Sequence, residues 1–299
     1  MKIAGITQGI RTDRRGPQRN KKSRLVIILA LSGVLVFSPF RNLGAVPVPS
    51  QTSCPESRLN KDFFLKWAQD FQQVLTSPEE WNGKDIITLT AVVSAGALLG
   101  VFDRDVYEQV QDWRNASSIK ASSYISKFGN GAYLGGFMAV LYASGELFHD
   151  EGLRKTSLLC LESFVTTSVV VLSLKFFSGR ARPYAEEGPY RFRPFSLKSR
   201  YLSFPSADAA SAFAVATTIA ERSPRFYVDV LAYSLAGLVA LYRVHDRKHW
   251  PSDVFFGSAL GYFIARKISC LNPTQEPEGL HVSFQLTPQG QAVTLSFVF

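Results

Sequence analysis

Apolar residues in this chain fall into long blocks separated by short polar breaks, and the blocks predict helices. Leu25 to Phe37 is the first, a nearly unbroken apolar run of 13 residues. From Asn60 to Leu75 the positions Phe63, Phe64, Trp67, Phe71, Val74 and Leu75 recur at spacings of three and four. That pattern predicts an amphipathic helix, packed on a larger domain or lying in a membrane interface. Ser77-Pro78-Glu79-Glu80 then reads as a helix start, with a capping hydroxyl, a proline at the first helical position and acidic residues in the first turn. Six apolar stretches follow, near Ile86–Phe102, Ala132–Phe148, Ser157–Leu174, Ala209–Ala220, Val230–Tyr242 and Val254–Ala265. The first three approach the length of a thin bilayer crossing, whereas the last three run only about 12 to 14 residues, as buried core helices do.

After Leu280 the period changes to two. Val282, Phe284 and Leu286 alternate with polar residues, Pro288-Gln289-Gly290 can turn, and Val293, Leu295, Phe297 and Phe299 alternate again, which predicts a β-hairpin. Two strands cannot close a barrel, so the hairpin is expected to dock on the bundle. The fold expected is all-α: a helical bundle of about six core helices, with an N-terminal signal or anchor segment and a short C-terminal β-hairpin. Four regions follow: a basic start plus signal or anchor at 1–45, an exported linker with the amphipathic helix at 46–82, the bundle at 83–270, and the hairpin tail at 271–299.

Composition narrows the class. Of 299 residues, 46% are hydrophobic and 13% aromatic, so most of the chain can bury a core and disorder is excluded for it. The mean hydropathy of +0.04 lies between a soluble protein and a chain made wholly of membrane spans. A formal charge of +9 suits phosphate groups, nucleic acid or an anionic membrane surface without choosing among them. Eight basic residues, Lys2 to Arg24, precede the first apolar run with only Asp13 opposing them, the layout of a secretory signal or an uncleaved anchor whose start stays in the cytosol. Export to the cell envelope follows, with Ala45 the weakly marked cleavage point. If Leu25–Phe37 and the next three stretches all crossed a membrane, the chain beyond Leu174 would lie in the cytosol; one crossing is then not a crossing, or the bundle sits outside. Three cysteines exclude a disulfide-dense scaffold. Cys54 and Cys270 flank the bundle and could pair or stay free, while Cys160 reads as a small buried hydrophobe.

Candidate chemistry lies between residues 175 and 253, at the ends of apolar stretches. Lys175 ends one helix and Arg182 follows a break at Gly179, so a point charge and a planar fork could fold over one anion. A basic helix end is also often only a solvated terminus. Ser206, Ala207 and Asp208 open the helix near Ala209, where free backbone N–H groups and a positive dipole end suit a phosphate; an ordinary cap is the plain alternative. Arg243, His249 and Asp253 close the set. His249 and Asp253 are four apart, so in a helical turn the carboxylate reaches one ring nitrogen and aims the other.

Together, Lys175–Pro183, Pro205–Asp208 and Arg243–Asp253 resemble the motifs of the superfamily of type-2 phosphatidic-acid phosphatases, bacterial class A acid phosphatases and vanadium haloperoxidases; the layout covers roughly Ile86 to Ile268. The resemblance implies that His249 attacks phosphorus and forms a phosphohistidine, with Asp253 orienting it. It implies that Lys175, Arg182, Arg243, the Ser206 hydroxyl and the Ala207 backbone hold the phosphoryl oxygens. No metal or other cofactor is implied, since cations and a helix start supply the charge. The expected partner is a phosphorylated lipid or small phosphoester at a membrane, and not nucleic acid. A multi-pass envelope protein with an extracytoplasmic site is expected, a periplasmic or secreted form being the alternative.

The family's second motif usually reads Pro-Ser-Gly-His, and its histidine protonates the leaving oxygen; here Ala207 and Asp208 stand in those places. Tyr242 replaces a common serine. Three readings stay open at this point: a phosphatase in which Asp208, or less directly His245, supplies the proton or a good leaving group needs none; a phosphate-binding membrane protein without turnover; and a haloperoxidase in which His249 holds vanadate.

Overall fold

The computed structural model describes residues 58–273, together with two strands of the tail. The first apolar run, the basic start, Ala45 and Cys54 lie outside the described residues, as do the turn residues Pro288 and Gln289 and the hairpin's side chains. Nine α-helices are described: α1 (Lys61–Thr76), α2 (Gly83–Val101), α3 (Asp103–Asp112), α4 (Ala116–Ile125), α5 (Gly131–Leu147), α6 (Glu151–Ser178), α7 (Ala207–Arg222), α8 (Phe226–His245) and α9 (Pro251–Leu271). The tail carries β1 (Gly279–Thr287) and β2 (Gly290–Val298), paired antiparallel with Gly279 opposite Val298.

The six apolar stretches are α2 and α5 to α9, and they form one up-and-down bundle. Their ends identify the alternation. Near the end of α2, Gly100 lies against Ser252 at the start of α9. The turn just before α5 packs Gly129 against Asp208 at the start of α7. At the opposite end of the bundle, Gly145 of α5 meets Arg154 of α6. The ends of α2, α6 and α8 and the beginnings of α5, α7 and α9 therefore share one face of the bundle, and short α3 and α4 lie over it.

Two glycines bring α7 and α9 together. A Cβ at Gly257 would stand 2.4 Å from the Ser206 carbonyl oxygen, and one at Gly261 would stand 2.1 Å from that of Ala210. Both distances are too short for any side chain, so these residues let two helix backbones touch. Val239, Phe213, Ala209 and Ala240 fill the space beside this contact between α7 and α8.

Several boundaries depart from the sequence expectation. The last three helices are longer than the apolar runs within them, because Pro251 and Ser206 start helices ahead of the first apolar residue and polar residues such as Arg222, Arg266 and Lys267 continue them. Among the described residues four helices, α2, α6, α8 and α9, are long and apolar enough to cross a membrane. The expected start at Ser77-Pro78 is only a short 3-10 turn; Asn82 and Asp85 cap α2 reciprocally instead. Helix α1 packs on the bundle through Asp70, through Trp67 Nε1–H donated to Thr166 Oγ1, and through Val74 against Leu159 and Ile268. Its other face leaves Phe64, Leu65 and Leu75 exposed.

Candidate active site

The chemistry-bearing residues collect on the shared face of the bundle. Lys175 sits in the last turn of α6, and Gly179 ends that helix in the left-handed conformation at φ +58°. A Cβ there would fall 1.8 Å from the Arg193 carbonyl oxygen, so only glycine lets the chain turn back beneath its own loop. Buried Lys175 donates from Nζ to the Leu202 carbonyl at 2.7 Å and to that of Ser203 at 3.4 Å. Arg182 reaches the Leu202 carbonyl at 3.3 Å through one terminal nitrogen, and its Nε is buried with no partner among the described residues. Arg243, in the last turn of α8, meets Asp208 Oδ2 at 2.7 Å, and its Nε is likewise buried and unpartnered.

His249 lies between α8 and α9, almost fully buried. Its Nδ1 stands 2.7 Å from the Ser203 carbonyl oxygen. A carbonyl only accepts, so Nδ1 carries the proton and Nε2 presents its lone pair. Burial, together with the positive charges of Lys175, Arg182 and Arg243, pushes this imidazole well below its ordinary pKa. The ring is therefore neutral across the physiological range, the state a nitrogen nucleophile requires.

The direct His249–Asp253 contact expected from the sequence spacing is not formed. Asp253 Oδ2 lies 3.9 Å from Nδ1, because His249 precedes the helix and Asp253 folds back to cap it, accepting from the Trp250 amide at 2.9 Å. Oδ2 also accepts from Ser203 Oγ at 2.5 Å. Asp253 thus holds the residue whose carbonyl holds the ring.

Ser206 caps α7, its Oγ accepting from the Ala209 amide at 3.4 Å while its own amide donates to the Asp253 carbonyl at 2.9 Å. The amides of Ala207 and Asp208 head the helix, where no helical carbonyl precedes them. Asp208 itself is partly exposed and lies against Arg243. His245 takes no part in this cluster. Its Nε2 bonds Ser118 Oγ of α4 at 2.9 Å and its Nδ1 bonds Oδ1 of the adjoining Asp246 at 3.1 Å, so neither ring nitrogen is left for a leaving group.

The sequence reading did not single out Arg180, Asp103, Ser203 or Lys248. Arg180 bridges Asp103 and Asp253, at 2.6 Å to each, entirely within the protein. Burial alone would weaken its charge, yet Asp253 and Asp103 outweigh burial and raise its pKa further. Its signal was its place between Gly179 and Arg182. Ser203 acts through its backbone carbonyl, which no side-chain pattern reveals. Half-buried Lys248 adds a further positive charge beside Arg243 and Arg182; burial and then Arg243 lower its pKa.

A neutral histidine facing three cations is an arrangement suited to holding and attacking a phosphoryl group. The profile of the PAP2 superfamily matches residues 156–276, the stretch that carries every site residue from Lys175 to Asp253. Among known relatives, a lipid A 1-phosphatase of Rhizobium etli is 28% identical over 62% of this chain and 82% of its own length. A second lipid A 1-phosphatase, from Rhizobium johnstonii, is 37% identical over 29% of this chain but covers only 36% of that protein. The crystal structure of Aquifex aeolicus LpxE is 22% identical, covers 55% of this chain and 92% of that one, and superposes with a TM-score of 0.45.

Proposed function

We propose that the chain dephosphorylates a lipid phosphomonoester or diphosphate in the cell envelope, with His249 as nucleophile and the reaction proceeding through a phosphohistidine. The observation that carries this reading is the His249 Nδ1–H donated to the Ser203 carbonyl, which fixes the tautomer with a bare Nε2 amid Lys175, Arg182 and Arg243. Nε2 forms the N–P bond as the bond from phosphorus to the leaving oxygen breaks. Arg182, Arg243, the Ser206 hydroxyl and the helix-head amide of Ala207 receive the charge on the phosphoryl oxygens, with Lys175 behind them. A poor leaving oxygen takes a proton from the Asp208 carboxyl as it departs, whereas a phosphate leaving group departs as an anion and Asp208 stays a carboxylate. Water then attacks phosphorus, its proton passes to the Asp208 carboxylate, the N–P bond breaks and inorganic phosphate leaves.

Membrane residence supports a lipid substrate. Helices α2, α5 and α8 expose Ile87, Leu98, Phe137, Val140 and Leu231, as lipid-facing helices do. The relatives named lipid A 1-phosphatase favour a phosphorylated lipid with a large headgroup, and residues 83–270 form the catalytic unit in this reading. The site is taken to face the extracytoplasmic side. In detergent micelles the purified protein is expected to release phosphate from lipid A, phosphatidate or a polyprenyl diphosphate, and from an aryl phosphate. His249→Ala is expected to lower kcat by at least about 10³-fold. Turnover by that variant at the wild-type rate, measured as phosphate released, would remove His249 as nucleophile.

A further inference from the structure

Three elements meet at a buried ionic trio behind the nucleophile. Asp103, at the first turn of α3, is fully buried; its Oδ2 accepts from Arg180 at 2.6 Å and from Ser252 Oγ at 2.6 Å, and its Oδ1 accepts from the Ser252 amide at 2.8 Å. Arg180 donates onward to Ser252 Oγ at 2.8 Å and to Asp253 Oδ1 at 2.6 Å. Asp253 holds Ser203 Oγ, and the Ser203 carbonyl holds His249 Nδ1–H.

We propose that Asp103 is a positioning residue for the phosphoryl-transfer step, acting on His249 through Arg180, Asp253 and Ser203. Two carboxylates share one guanidinium, so the trio keeps one net negative charge, and its Asp253 end lies 3.9 Å from the ring. When Nε2 bonds phosphorus, the ring retains its Nδ1–H and becomes positive; the net negative charge behind it then stabilises that state more than the neutral ground state. Without Asp103, Arg180 would neutralise Asp253 outright. The phosphate ligands themselves are untouched by this change, so substrate binding is preserved. This inference rests on the phosphatase reading and on His249 as nucleophile.

The test is Asp103→Asn with an aryl phosphate, whose good leaving group makes Asp208 protonation unnecessary, using protein whose thermal melt shows it folded. The expected result is a fall in kcat of about 10- to 100-fold, the size typical of groups that orient a reacting side chain, with KM changed less than about threefold. The acidic limb of kcat/KM should also move to lower pH. The groups acting on the ring are Lys175 from α6, Arg182 from the following loop, Arg243 from the last turn of α8 and the Ser203 carbonyl, with Asp253 of α9 3.9 Å away; Asp208 and Lys248 lie near Arg243, and Arg180 reaches the ring only through Asp253. Removing the Asp103 charge leaves that set more positive and the ring harder to protonate. A purely structural tie would change stability and leave the limb where it was. If Asp103→Asn does not fold, Ser252→Ala keeps both carboxylates and Arg180 but removes the bridging hydroxyl; a fall in kcat of about three- to tenfold is then expected. Unchanged kcat and an unmoved limb in the folded variant, beside an active wild type, overturn the inference alone. A wild type that neither turns over nor binds orthovanadate overturns the phosphatase reading and this inference with it.

Discussion

The two sides of the site are built on opposite plans. Behind the nucleophile, Asp103, Arg180, Ser252, Asp253 and Ser203 are buried and joined by bonds of 2.5 to 2.8 Å. In front of it, Arg182 and Arg243 each keep a buried Nε without a partner among the described residues, and Arg243 is held only by the partly exposed Asp208. A buried donor left unpaired costs about 1–3 kcal/mol. Such a cost is tolerated where a ligand satisfies the donor. The rear half fixes one ring in one tautomer; the front half holds cations in reserve for an anion.

After loss of the nucleophile itself, the largest expected effect falls on the front half. Arg243→Ala removes a donor at the phosphoryl oxygens and should lower kcat/KM for any phosphate ester by about 10²- to 10³-fold, the range found for a single oxyanion donor. Arg243→Lys should restore little of it, because a point charge cannot reproduce the planar fork. Full activity in steady-state assays of either variant would make Arg243 a mere partner of Asp208 and erase the contrast between the two halves.

Asp208 comes next, and its effect should depend on the substrate. Asp208→Asn cannot give a proton, so an alkyl phosphomonoester should react about 10²-fold more slowly. An aryl phosphate or a diphosphate should lose less than about fivefold, since its leaving oxygen departs unprotonated. The same substitution frees Arg243 from its ion pair, so inorganic phosphate should inhibit the variant more tightly. Equal losses across leaving groups would show that Asp208 is only a brace for Arg243.

The sequence made the front half visible and left much of the rear half hidden, for a physical reason. Lys175, Arg182, Arg243 and His249 announce themselves because cations at the ends of apolar helices have few uses other than binding an anion or a helix terminus. The bundle was legible from the same apolar blocks, with α3 and α4 missed because their short polar sequences carry little apolar signal. The contact of Asp253 with His249 was read on the condition of a helical turn, and that condition is not met: a spacing of four describes a side-chain pair when both residues share a helix, and Pro251 starts the helix two residues after the ring. Asp103 carried no signal, and Ser203 could be read only as the first residue of the segment that leads into α7. One acts 150 residues from the Asp253 it supports, and the other works through a main-chain oxygen.

The smallest effect should come from the second histidine of the motif, which sits four residues before the nucleophile yet belongs to the scaffold. Both nitrogens of His245 are engaged, by Ser118 of α4 and by Asp246, and Asp246 in turn accepts from Ser122 at 2.6 Å and Ser126 at 3.2 Å. This network fastens α4 to the end of α8, next to Arg243. His245→Gln keeps a polar side chain but cannot reproduce both ring bonds, so the protein should lose about 1–3 kcal/mol of stability, read from its thermal melt. Its kcat on an alkyl phosphate, corrected for the folded fraction, should stay within about threefold of wild type. A loss confined to poor leaving groups would instead transfer the proton donor's role from Asp208 to His245, and the front half of the site would then extend to α4.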